Sequence, residues 1–194
     1  MNAEPYMSDL LLFRETLRCA AAGIDAPYFQ LPVAGQENPE YRERVYAYEL
    51  YHQLRQVWPE KLAHYSLGGE VDKAGHPLIR GNNLDNAKPD LIVHVPSGMD
   101  SNLAVVEIKP APRAREGAAQ DLRKLAAFCD PSVGKYAGGF FLVYGLSSDD
   151  ALAFREHCES QLRQSDLHGK PLYLLAHSAA ATIPDAYELW SQTV

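Results

Sequence analysis

Three cysteines in 194 residues leave little scope for disulfide or zinc chemistry. Cys19, Cys129 and Cys158 are odd in number, far apart and without the spacing of a zinc site, so reduced thiols in a cytoplasmic protein are expected. Long hydrophobic runs are missing too. Charged or polar residues interrupt every apolar stretch before a membrane span is reached, and no membrane partner is expected. A secretory leader is not expected either, because Glu4 stands where a basic region belongs and Arg14 and Glu15 break the apolar stretch. Positive charge is scarce: 18 Lys and Arg against 25 Asp and Glu give a net charge of −7. Nucleic-acid binders usually carry a basic balance, because phosphate contacts dominate their affinity. Any such binding here must come from a local patch. There is no internal repeat, no low-complexity segment, no Gly-x-Ser-x-Gly elbow and no Walker-type loop. The glycines of "AGGFFLVYG" precede a strand instead of following one, which excludes a dinucleotide fingerprint.

What is present is an ordinary globular composition, 46% hydrophobic and 22% charged, in a chain long enough to bury a core as one domain. Asp9 is placed to cap a helix from about Leu10 to Ala22, with Leu10, Phe13, Leu17 and Ala21 on one face and Gly23 as its stop. A proline-rich loop follows. A second helix is predicted from Glu40 to just before Pro59, with Tyr46, Leu50, Leu54 and Val57 as its apolar stripe and Glu49 at the stripe's margin. "HYSLGGEVDK" (64–73) reads as a weak strand, and the segment from Lys88 to Pro110 as a hairpin. A helix over 116–129, a buried strand over 138–145, a helix from Asp149 to about Arg163 and a last strand over 170–178 complete the order. That order predicts an α/β fold with a mixed central sheet flanked by helices on both faces.

The hairpin "KPDLIVHVPSGMDSNLAVVEIKP" carries two apolar runs with charge at their outer ends. If Val95 pairs with Leu103, Asp90 falls opposite Ile108, between Glu107 and Lys109, and the last two share a strand face. Two carboxylates that close repel unless a cation sits between them. Mg²⁺ suits the site, since it takes oxygen ligands and completes its shell with water and substrate phosphate. Lys109 beside it could orient water or offset charge in a phosphoryl transition state. Read alone, Pro-Asp also opens many strands, and Glu-x-Lys also serves as a solvated cross-strand pair.

Pro89–Asp90 and "EIK" at Glu107–Lys109, joined by a hairpin, resemble the signature of the PD-(D/E)XK nuclease superfamily. The likeness extends through the element order over residues 40–145, with 1–39 as an N-terminal helix and loop and 146–194 as a C-terminal extension of the same domain. It implies a restriction endonuclease-like core and Mg²⁺-dependent hydrolysis of nucleic acid, DNA before RNA, with Mn²⁺ as a substitute ion. It also implies that Asp90, Glu107 and the Ile108 carbonyl are metal ligands, with Glu49 from the preceding helix as a further one and Lys109 as the catalytic amine. Gln120 and Lys124 are carried over as substrate contacts from the helix after the motif strand. Arg113, Arg115, Arg123 and Lys124 form a basic patch nearby where a phosphate backbone would be gripped. With Glu116 and Asp121 as balancing acids it reads equally as a solvated helix face. Arg42, Arg44 and Arg55 lie on the helix bearing Glu49. "GGE" at Gly68–Glu70 reads most simply as a turn or strand end, from which Glu70 could approach the site. His94 is read as a core histidine, and His52, His76 and His177 show no ligand spacing. The alternative is a nuclease-fold module with weak or absent catalysis that binds nucleic acid or a protein partner, or forms a homodimer, in a defence or repair complex.

Overall fold

The structure, a computed structural model, describes residues 4–69, 88–96, 101–162 and 169–189. Along the chain run α1 (Glu4–Ala22), α2 (Ala26–Phe29), α3 (Glu43–Gln56), a single 3-10 turn (Glu60–Leu62), β1 (Ser66–Gly69), β2 (Leu91–His94) and β3 (Asn102–Pro110). There follow α4 (Ala111–Cys129), β4 (Tyr136–Tyr144), α5 (Ser148–Leu162), β5 (Leu172–His177) and β6 (Asp185–Leu189). Among the described residues no helix is long and apolar enough to cross a membrane.

Apolar runs without alternation mark strands buried on both faces. β3 and β4 are such strands and form the centre of a six-stranded open sheet of order β1–β2–β3–β4–β5–β6. β1, β2 and β3 form an antiparallel meander, β3, β4 and β5 are parallel, and β6 returns antiparallel to β5. α4 links β3 to β4, and α5 links β4 to β5. Two crossovers that step the same way along a sheet and share the usual right hand must place their helices on one face. They do: Ala118, Leu122 and Leu125 of α4 and Phe154 and Cys158 of α5 pack with Ile92, Val105, Phe141 and Leu174. The other face is covered by α1 and α3, whose Leu10, Phe13, Tyr46, Leu50 and Leu54 meet Leu91, Val106, Ile108, Phe140 and Leu142. The mixed α/β sheet with helices on both faces is thus observed.

The paired glycines of β4 have a packing reason. A Cβ on Gly138 would lie 2.6 Å from Leu10 Cδ2 of α1, and one on Gly139 only 2.6 Å from Leu172 Cδ2 and 3.4 Å from Leu125 of α4. The missing side chains let helices close on the central strand from both sides.

Several boundaries differ from the sequence reading. α1 begins at Glu4, ahead of Asp9. α3 begins at Glu43 and not at Glu40, because Glu40 exchanges backbone hydrogen bonds with Leu31 (2.8 and 2.9 Å) in an isolated bridge. α4 starts at Ala111, directly after β3, with a proline in its first turn where the missing N–H costs nothing. β6 was not anticipated: it is a five-residue edge strand with only Leu189 buried and no regular alternation. Residues 70–73 of the expected first strand lie outside the described residues.

One contact fastens α3 at the sheet's rim. Tyr46 stacks on Tyr144 at 4.0 Å between ring centroids, and its hydroxyl hydrogen-bonds His177 Nδ1 at 2.7 Å. Tyr144 and His177 end β4 and β5, so the first turns of α3 sit at the C-terminal ends of the parallel strands. Burial pushes the His177 pKa down to about 4, which keeps the ring neutral.

Candidate functional site

The site grows out of an irregularity in the hairpin. β2 and β3 pair Leu91 with Val106, Ile92 with Val105 and Val93 with Ala104, after which His94 pairs with Asn102. Leu103 is therefore an extra residue on β3. It and Ala104 are both buried on the α1/α3 face, as two successive residues can be only at a bulge. The expected register, counted from Val95 opposite Leu103, is corrected by this bulge. The ladder continued one step past Leu91 sets Asp90 opposite Glu107 and not opposite Ile108. Ile108 still matters to Asp90, because its amide donates to Asp90 Oδ2 at 2.7 Å. In an extended strand the N–H and C=O of one residue face the same edge, so the Ile108 carbonyl is also on the Asp90 side.

Glu107 points to the α4 face, as its strand neighbours Val105 and Ile92 do. It is 2% exposed. α4 brings Lys124 onto it: Nζ donates to Oε2 at 2.8 Å, lies 2.7 Å from Oε1, and donates to the Lys88 carbonyl at 2.7 Å. One turn earlier on α4, Asp121 lies 3.6 Å from Lys109 Nζ, and Glu43 from the start of α3 lies 3.4 Å from the same nitrogen. Gly117 makes room for this: a Cβ there would stand 3.1 Å from Asp121 Oδ2 and 3.8 Å from Lys109 Cε. Four carboxylates (Glu43, Asp90, Glu107, Asp121) thus surround two ammonium groups (Lys109, Lys124), a formal charge of −2 when all are ionised.

Burial first, and the neighbouring charges after it, shift the titration of these groups. Burial, then the neighbouring Asp90, raises Glu107 to about 8, while Lys124 pulls it back. Burial also raises Asp90 to about 6, opposed by the Ile108 amide and reinforced by Glu43. Asp121 is raised by burial against the pull of Lys109 and Lys124. For Lys109, burial works downward, but Asp121, Glu43 and Asp90 outweigh it and the net shift is upward. Lys109 is therefore held as an ammonium group, able to donate hydrogen bonds and stabilise negative charge but unsuited to act as a base at neutral pH.

Asp90, Glu107 and Lys109 are brought together as the sequence suggested. Glu49 is not. It accepts a hydrogen bond from Gln53 Nε2 at 2.7 Å, and Gln53 in turn lies against Gly23, just past the end of α1. α3 packs its mid-helix residues on the sheet face opposite to Glu107, and Glu43 in its first turn reaches Lys109 at the rim. The helix carboxylate at the cluster is Glu43. Of the α4 residues, Lys124 faces into the cluster on Glu107, Gln120 lies one turn before it and is exposed, and Arg113 is exposed near Tyr144. Arg115 is about 180° around the helix from Lys124, and its carbonyl lies 3.3 Å from His157 Nε2 of α5. Arg123 folds back on the Ala119 carbonyl, and Arg42 pairs with Glu40. The expected basic patch is thus spread over several directions. Glu70 and His76 lie outside the described residues.

A cleft of about 390 Å³ opens beside Asp90, lined by Ala47, Tyr48, Tyr51, Gly69, Asp90 and Leu91. Tyr48 at its rim is 63% exposed. Among the described residues, no group of three or more His, Cys, Asp or Glu side chains is arranged to hold a metal ion. A full protein cage is therefore absent there, and a metal would have to rest on two carboxylates, backbone and water. No family model, curated protein or solved structure matches the chain.

Proposed function

We propose that the protein is a Mg²⁺-dependent nuclease with a restriction endonuclease-like core, acting on nucleic acid and on DNA in the first instance. The observation that carries this reading is the opposed pair of a half-buried Asp90 and a buried Glu107, both with raised pKa values, in a cluster short of positive charge. The order α3, β1, β2, β3, α4, β4 agrees with the order the motif resemblance requires.

The donor set suits a hard, partly hydrated cation. Mg²⁺ is commonly held by one or two carboxylates with water and substrate phosphate completing the shell, and Mn²⁺ accepts the same oxygen ligands. Asp90, Glu107 and the Ile108 carbonyl would hold it. When bound, the ion supplies Lewis-acid stabilisation of charge on the phosphoryl oxygens. Lys109 donates hydrogen bonds to the attacking water or to a phosphoryl oxygen as charge develops. Glu43 and Asp121 fix the direction of that ammonium group and act as positioning residues. Gln120 and Arg113, on the same stripe of α4, are placed to meet the flanking phosphates, and the tyrosine-lined cleft beside Asp90 offers a surface for an adjoining base.

The alternative, a nuclease-fold binding module without strong catalysis, draws on the net charge of −7 and on the direct Lys124–Glu107 pair. One experiment separates the two. Single-stranded and duplex DNA and RNA are incubated with Mg²⁺, Mn²⁺ or chelator, using the wild type and Glu107→Gln. Metal-dependent cleavage that Glu107→Gln loses is expected. No cleavage of any substrate under any metal condition would sink the nuclease reading.

A further inference from the structure

Lys124 occupies an unusual seat. Its Nζ contacts both oxygens of Glu107 at 2.7 and 2.8 Å and the carbonyl of Lys88, two residues before Asp90, at 2.7 Å. The ammonium therefore joins the backbone leading into Asp90 to the carboxylate facing Asp90. When ionised, Glu107 sets its charge against Lys124: its side chain is 3% exposed, and Nζ lies within 2.8 Å of both its oxygens. Lys124, by contrast, keeps 23% of its side chain exposed and stands one turn from the exposed Gln120. A four-carbon stem rooted on a helix surface can swing outward without disturbing the fold.

We propose that Lys124 is a tethered counter-ion that holds the cation seat of the resting protein and must leave it before a divalent ion binds. This rests on the nuclease reading above and adds its regulation. A Mg²⁺ ion ligated directly by Glu107 would stand about 2.0–2.1 Å from a carboxylate oxygen. An ion on Glu107 would then stand next to an ammonium group already within hydrogen-bonding distance of both oxygens, and like charges so close repel strongly. Displaced, Lys124 turns toward the solvent face of α4, beside Gln120, where an incoming phosphate is a replacement partner. Metal and substrate would then load together: Lys124 would leave Glu107 as a divalent ion took its place and would be held outward by the incoming phosphate. The contact is a built-in brake, opened most easily when both are present.

Two measurements test this on the full chain. In the first, Mn²⁺ affinity is measured by electron paramagnetic resonance for the wild type, Lys124→Met and Asp90→Asn, in alkaline buffer so that carboxylates are ionised in each. Lys124→Met is expected to bind at least about tenfold more tightly than the wild type, since the competitor is gone, and Asp90→Asn more weakly. In the second, wild-type lysines are acetylated with and without Mg²⁺ and read by mass spectrometry. Labelling of Lys124 should rise several-fold with the ion while Lys61, distant from the site, stays unchanged. If Lys124→Met does not fold, the labelling decides alone. Equal Mn²⁺ affinity in the wild type and Lys124→Met, or metal-independent labelling in a wild type that binds Mn²⁺, overturns the brake and leaves the nuclease reading standing. Absence of Mn²⁺ binding by every variant overturns both.

Discussion

The Asp90 carboxylate takes the amide of Ile108 as its partner, Oδ2 to N at 2.7 Å. A side chain thereby supplies the rung that the β2–β3 ladder lacks beyond Leu91, and it holds Asp90 beside Glu107 against their mutual repulsion. Two substitutions separate these effects. Asp90→Asn keeps an oxygen able to accept from Ile108 and removes the charge, whereas Asp90→Ala removes both. In chelator, the Asn variant is expected to melt at or above the wild-type temperature, and the Ala variant to lose about 1–3 kcal/mol for an amide left without its partner. Both are expected to lose metal-dependent cleavage. An Asn variant as unstable as the Ala variant would show that the charge itself is structural, paired to the lysines, and would remove Asp90 from the proposed ligand set.

The raised pKa of Glu107 makes the metal-free protein sensitive to alkali. Its value near 8 lies above the 4.5 of an unperturbed glutamate, so between those values the folded chain keeps a proton that the unfolded chain releases. The stability this confers is complete below about 4.5 and is lost as pH rises through about 8. Asp90 behaves alike in the lower window from 3.8 to about 6. His177 acts in the opposite sense: with a folded value near 4 against 6.5, its contribution is present above 6.5 and is lost as pH falls through about 4. Glu107 therefore dominates between about 6.5 and 8. Over that range the urea midpoint of the metal-free wild type is expected to fall with rising pH, while that of Glu107→Gln stays level. Parallel curves for the two proteins would show that Glu107 is not the group responsible.

Much of this was legible in the chain because apolar patterning reports burial. Leu103–Val106 read as an apolar hairpin strand and 138–145 as a fully buried one, which is how the structure places them. Of the helix stripe Tyr46, Leu50, Leu54 and Val57 the first three are buried, and Val57, just past the end of α3, is exposed. The edge elements were harder to read. β6 buries only Leu189 and so lacks a pattern to detect. The hairpin register was missed by one at its charged end because a bulge at Leu103 depends on packing of both faces and leaves no local signature in "DSNLAVV". Asp121 and Glu43 were passed over for related reasons. Asp121 sits inside an amphipathic helix among ordinary polar residues, and only the three-dimensional crossing of α4 over β3 brings it to Lys109. A signal for Glu43 did exist in its position in the first turn of α3, where a carboxylate also favours the helix dipole.

The choice between Glu43 and Glu49 gives a direct test of that last point. Both are glutamates of α3, six residues apart, and so about 120° from one another around the helix axis. Glu43 lies 3.4 Å from Lys109 Nζ, whereas Glu49 accepts from Gln53 on the side facing α1. If Glu43 orients the catalytic ammonium, Glu43→Gln should lower the cleavage rate by about 10–100-fold, the usual effect of losing a group that positions one in direct contact with the reacting atoms. Substrate affinity should change little, because Glu43 touches Lys109 and not the substrate. Glu43→Asp, which restores the charge on a shorter arm, should recover part of the rate. Glu49→Gln keeps the amide contact with Gln53, and its stability should stay within about 0.5 kcal/mol of the wild type, with cleavage at the wild-type level. Rates measured under single-turnover conditions make the comparison clean, since they report the chemical step apart from product release. Loss of activity in Glu49→Gln with Glu43→Gln intact would mean that α3 rotates or shifts when substrate binds, and that the carboxylate at the rim of the sheet is structural.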